Sequence, residues 1–323
     1  AEYAVKEKTM LNSVFTVNLE STNNQFKPPF IISLQIIYKY AGFYFGQIWL
    51  SAIFISFIVF LYHALNTTLH RLLSGLLMVA FLAIPEMYAY TFMALFDYSN
   101  AVFFFLGFFF LIDYFKTGKG NQLQFAGLLF GFATYTRSET LILVACLLPA
   151  MAWHFIRNRT TWKQVFFCFA WILLPAAIFY FVSINIYINQ YLPVKYNVEG
   201  LVNNNLFNLR PLIDRFVAVN RDLLFHSDGI VYYSYFIYLF LLLLLINMIF
   251  LRKHNIASRN WFFAVLVVYF GMVLLGFLLP LLDVAHSTKR GFLKLFPLML
   301  LYLANSPLLM LLSQKIHVWE SKR

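Results

Sequence analysis

Long apolar runs separated by short polar loops constrain this chain more than any other feature. They lie at roughly 45–66, 72–92, 99–115, 123–136, 138–156, 164–188, 229–252, 261–282 and 291–313. A helix needs about 20 apolar residues to cross a bilayer. Backbone amides in lipid find no water, so such segments must close their hydrogen bonds internally, as helices. The expected fold class is all-α: a polytopic transmembrane helical bundle of about nine spans. Residues 31–44 are apolar but interrupted by Lys39, and read as an interfacial helix leading into the first span.

Composition narrows the function classes. Apolar residues make up 62% and charged residues 11%, against about 25% charged in an ordinary soluble domain. Disorder and a conventional water-soluble enzyme are excluded. The net charge of +11 is spread among the apolar runs, which suits orientation in a membrane and contact with anionic lipid. No nucleic-acid partner is expected. Cys146 and Cys168 both sit inside apolar runs and form no disulfide framework.

Basic residues set the orientation. Arg71, Lys116, Lys119, Arg157, Arg159, Lys163, Arg252, Lys253, Arg259, Lys315, Lys322 and Arg323 fall in loops on alternate sides of the spans, which places those loops in the cytoplasm. The other face then holds 1–30, 93–98, the turn at 137, 189–228 and 283–290, with nearly all the acidic residues. The N-terminus of the chain is expected outside and the C-terminus inside. The chain shows no internal repeat or low-complexity linker, so residues 1–323 are expected to form one domain, with 1–44 as an outer segment and 189–228 as a long, Asn-rich outer loop.

That outer face has the carboxylates and the room that chemistry needs. Arg137 and Glu139 lie in a Thr-Arg-Ser-Glu turn, where an ion pair is one reading and a substrate contact the other. Glu86 and Asp97 flank the turn after the 72–92 run. Lys289, Arg290 and Lys294 stand at the start of the last span, where snorkelling to lipid headgroups competes with a functional role and is favoured for Lys294. The histidines suggest no metal site: His63, His70, His154, His254 and His317 lie near cytoplasmic span ends, His226 and His286 stand apart outside, and no HExxH or paired-cysteine spacing occurs. No cofactor motif is evident.

Four stretches together resemble the multispanning glycosyltransferases of the GT-C fold, which use a lipid-phosphate-linked sugar and include the protein O-mannosyltransferases and the aminoarabinose transferases of lipid A. They are Glu2-Tyr3-Ala4 through Thr9-Met10-Leu11, Lys27-Pro28-Pro29-Phe30, Gly127 through Gly131 to Thr136-Arg137-Ser138-Glu139, and Lys289-Arg290-Gly291-Phe292 followed by Pro297. The likeness rests on their order and spacing. It implies a GT-C-like bundle that transfers a sugar from a polyprenyl-phosphate donor to a lipid, glycan or protein acceptor on the outer, periplasmic face of a bacterial inner membrane, with inversion. Metal use varies across that fold.

The resemblance also implies roles. Lys27, Arg290 and Lys289 would bind the lipid phosphate, and Arg137, Glu139 and Asp97 would hold substrate or brace the fold. The family's catalytic Asp would fall just before Ala1, so the chain is expected to be an N-terminally truncated piece, with Glu2 as a neighbour of that acid rather than the base. Asn100 stands where many relatives carry Asp. A multispanning transporter or flippase of lipid-linked glycans remains the alternative.

Overall fold

The computed structural model describes residues 2–10, 13, 28–43, 48–92, 96–157, 161–191, 203, 205, 207–251, 256–280 and 282–322, and among these all regular structure is helical. In chain order the helices are α1 (Glu2–Lys6), α2 (Phe30–Tyr40), α3 (Ile48–Asn66), α4 (Arg71–Leu82), α5 (Pro85–Phe92), α6 (Phe96–Thr117), α7 (Gly120–Thr136), α8 (Thr140–Ala145) and α9 (Leu147–Arg157). There follow α10 (Trp162–Tyr180), α11 (Arg210–Ala218), α12 (Ser227–Tyr233), α13 (Phe236–Ile246), α14 (Ile256–Leu278), α15 (Lys289–Gly291), α16 (Leu295–Ala304) and α17 (Pro307–Glu320).

Among the described residues, four helices are long and apolar enough to cross a membrane: Ile48–Asn66, Phe96–Thr117, Trp162–Gln190 and Ser258–Leu278. Two bent pairs, Ser227–Tyr233 with Phe236–Ile249 at 95° and Val284–Ala304 with Pro307–Glu320 at 52°, raise the number to six if each is one span. Large side chains such as Trp162, Phe166, Val79 and Ile156 lie on the outside, as expected where lipid is the solvent.

The other three expected spans are helical but short or interrupted, for identifiable reasons. The run at 72–92 divides before Pro85, which lacks an N–H and forces its predecessor out of helical geometry. The run at 138–156 breaks at Cys146, where Pro149 clashes with a carbonyl one turn back. The run at 123–136 is a continuous helix of 17 residues. The outer loop expected at 189–228 is substantially helical: α11 and the turns that continue it to Leu224 bury Val219, Leu223 and Leu224. Residues 192–202, including Asn197, and also Asn204 lie outside the described residues.

The chain folds as two compact units, residues 1–52 with 92–204, and residues 53–91 with 205–323. Two of the three boundaries pass through helices, α3 and α5, and the third falls in the Asn-rich stretch of the sequence at 203–205.

In the first unit, α6 and α10 both pack on α7. Phe104 and Phe108 meet Phe130 edge to face, with ring centroids 5.5 and 5.7 Å away, and Gly107 makes room for that ring. Gly127 and Gly131, spaced four apart, form a small-residue seam against α10. Pro175 within α10 offers no N–H to the Trp171 carbonyl one turn back, and Gly127 lies directly against that carbonyl, so a side chain there would strike backbone. In the second unit, α13 and α14 pack on the buried α16. Phe296 meets Tyr233 at 5.0 Å, and Asn247 accepts a hydrogen bond from Leu308 N–H at 3.1 Å, joining the end of α13 to the first turn of α17.

Candidate functional site

In the first unit, Arg137 ends α7 and its backbone leaves the helix extended. The guanidinium pairs with Asp97, in the first turn of α6, and with Glu139, just before α8. Asp97 is only 3% exposed, and the N-terminal end of α6 favours its negative charge. The guanidinium stays charged whatever its surroundings. With both carboxylates ionised, the triad carries a net charge of −1.

One turn along α6 from Asp97, Asn100 is wholly buried. Its amide donates to the Ala133 carbonyl at 2.6 Å, Thr136 Oγ1 at 2.9 Å and Thr140 Oγ1 at 3.0 Å. An aspartate here would face the Ala133 carbonyl without a proton to give, so the amide is the residue this packing requires.

Lys27 lies outside the described residues. The prolines that follow it lead into α2, whose first residue, Phe30, packs edge to face on Tyr135 at 5.7 Å and Phe103 at 5.8 Å. This brings the start of α2 beside the end of α7, two residues before Arg137. Glu2 is exposed and pairs with Lys6 at 3.4 Å.

The second unit holds a separate group of cations. Lys289 Nζ lies 2.9 Å from Glu86, in the first turn of α5, and 3.7 Å from the centre of the Tyr232 ring. Tyr233 donates its hydroxyl hydrogen to the Lys289 carbonyl at 2.9 Å. Arg290 Nε donates to the His286 carbonyl at 3.1 Å. Arg215, which carries no motif, donates through Nη2 to the Leu282 carbonyl and Thr288 Oγ1. Gly276 provides the space its guanidinium fills, and its Nε finds no acceptor. Burial lowers the Arg215 pKa, and Asp283 partly offsets this.

Asp283 caps the turn before α15, accepting from Ser287 N–H at 2.8 Å and His286 N–H at 3.2 Å. Burial raises its pKa, but these bonds and the His286 ring at 2.7 Å outweigh that and leave it lowered.

One expectation changes in light of this geometry. Lys294 is 4% exposed, so its side chain is inside the protein and does not snorkel to headgroups. Of the two carboxylates that flank the turn after the 72–92 run, Glu86 pairs with Lys289 and Asp97 with Arg137. The structure also brings His70 and His317 together with Glu320. Sequence separation hid this group, although His317 and Glu320, three apart on α17, already share a face.

Comparison with protein-family models, curated proteins and solved structures returned no match.

Proposed function

We propose that the chain is a membrane glycosyltransferase that moves a sugar from a polyprenyl-phosphate donor to an acceptor on the outer face, with inversion. The observation that carries this reading is the set of cations around residues 282–290. Arg215 is anchored on Leu282 and Thr288, Lys289 is held between Glu86 and Tyr232, and Arg290 is anchored on His286. A lipid-phosphate leaving group gains negative charge as the glycosidic bond breaks. Cations fixed beforehand in a water-poor site stabilise that charge without reorganising. Arg215 joins Lys289 and Arg290 as a phosphate contact.

The Asp97–Arg137–Glu139 triad supports a second role. Because the carboxylates outnumber the cation, it suits hydroxyl groups of a sugar or acceptor better than phosphate. On this reading the 72–92, 123–136 and 138–156 runs are further spans of a GT-C-like bundle, built from short or broken helices, in a bacterial inner membrane.

One observation favours a transporter of lipid-linked glycans instead: the two sharply bent helix pairs, since discontinuous helices often build transport sites. One experiment separates the two. The full chain is reconstituted in liposomes with polyprenyl-phosphate-linked hexose or pentose labelled in the sugar, together with lipid, glycan and peptide acceptors. Release of polyprenyl phosphate, lost in Lys289→Met and Arg215→Gln, is the expected result. Movement of intact labelled lipid between leaflets without release of polyprenyl phosphate would overturn the transferase reading.

A further inference from the structure

His70 stands immediately before α4 and caps it, its Nδ1 accepting the Leu72 N–H at 3.2 Å. Its own backbone N–H donates to the buried Ser313 Oγ at 2.7 Å, which ties the start of α4 to α17. Across this junction His70 Nε2 lies 2.9 Å from Glu320 Oε2, and the His70 and His317 rings meet edge to face at 4.6 Å. One ligand atom from each of the three residues lies within 4.8 Å of the other two.

We propose that His70, His317 and Glu320 form a binding site for a divalent transition-metal ion of the zinc class, independent of the glycosyl-transfer chemistry. Two imidazoles and a carboxylate are a donor set that zinc accepts, leaving a fourth position for water. Tetrahedral ligands about 2.0–2.1 Å from zinc stand about 3.3 Å apart, so the group must contract by about 1.5 Å at most. The exposed side chains of His317 and Glu320 can swing that far, while the backbone of His70 is held by its bond to Ser313. The open side faces solvent, on the side where the basic loops lie. Arg71, close to Glu320, works against the ion, which limits affinity.

Binding also acts on the helix. While Nδ1 accepts the Leu72 N–H, a neutral His70 carries its proton on Nε2 and donates it to Glu320. A metal on Nε2 requires the proton on Nδ1 instead, so loading removes the cap of α4. Metal occupancy and the first turn of α4 are therefore coupled.

The test uses the purified full chain in nanodiscs, first titrated with Zn²⁺ by calorimetry and then with Co²⁺ by absorption. The expected result is one ion per chain at micromolar or tighter affinity, weakened at least about a hundredfold in His317→Ala and Glu320→Gln. It should be unchanged in His286→Ala, which removes an exposed histidine elsewhere. In His317→Cys the cobalt complex should gain a thiolate charge-transfer band, a positive signal that a damaged fold would not give. Absence of binding at micromolar metal, affinity unaltered in His317→Ala and Glu320→Gln, or no new band in His317→Cys would overturn the assignment.

Discussion

Replacing Arg137 with alanine tests how the junction of α6, α7 and α8 in the first unit is held. The substitution leaves Asp97, at 3% exposure, with its cation removed and Glu139 nearby. Removing one partner of a buried ion pair typically costs about 3–5 kcal/mol, most of it the stranded charge. A second route gives a similar figure. The site can take up a proton instead, and holding an ordinary carboxyl protonated at pH 7 costs about 1.4 kcal/mol for each of about three pKa units. The expected loss at neutral pH is therefore about 3–4 kcal/mol. The penalty should shrink toward pH 5, where protonation is cheaper.

The assay is thermal unfolding of the detergent-purified protein, followed by retention of the monodisperse species, for Arg137→Ala, Asp97→Asn and the double variant. Asp97→Asn in the Arg137→Ala background should recover a measurable part of the loss, with a coupling of about 0.5–3 kcal/mol. An Arg137→Ala protein that unfolds like the parent, or a double variant no more stable than Arg137→Ala, would refute the claim that the triad braces the fold.

Other substitutions follow from the same geometry. Gly127→Val should destabilise by about 1–3 kcal/mol or more, because its side chain meets the Trp171 carbonyl; Gly120→Ala, in open space, serves as the neutral control in the same melt. Asn100→Asp should cost about 1–3 kcal/mol through the lost hydrogen bond to the Ala133 carbonyl, and no gain of transfer activity is expected from restoring the residue common in the family resembled. Lys289→Met should strand Glu86, 7% exposed, and Glu86→Gln should restore stability without restoring donor use. Asp283→Ala should cost about 1 kcal/mol as a lost cap. Because the Asp283 pKa is lowered by folding, its contribution is full above the ordinary carboxylate range and fades as pH falls through the lowered value, so the difference between parent and variant should vanish in acid.

The placement of helices was legible because hydrophobicity is a local property. Each long apolar run became helical, and the Arg137–Glu139 pair could be read from a turn of four residues. The breaks at Pro85 and before Pro149 were also written locally, but run length alone passes over them. The helix at 210–224 was missed because its charges mask an apolar spacing at Leu212, Phe216, Val219 and Leu223, with Pro211 in its first turn. The remaining pairings had no signature. Asp97 finds Arg137 40 residues away, and His70 finds Glu320 250 residues away. Arg215 is recognisable only once Gly276 and Thr288 are seen around it.

The interleaved composition of the two units sets an order of events during synthesis. Residues 53–91 belong with 205–323, so the segment bearing His70 and Glu86 leaves the ribosome about 200 residues before Lys289 and His317 exist. At about 5–20 residues per second, Glu86 goes without its cation for about 10–40 s, while the segments that complete the first unit are made. A carboxylate on an apolar segment is poorly tolerated in lipid during that interval. The cell must therefore keep α4 and α5 at the membrane surface, or shelter them beside the insertion machinery, until the last third of the chain arrives.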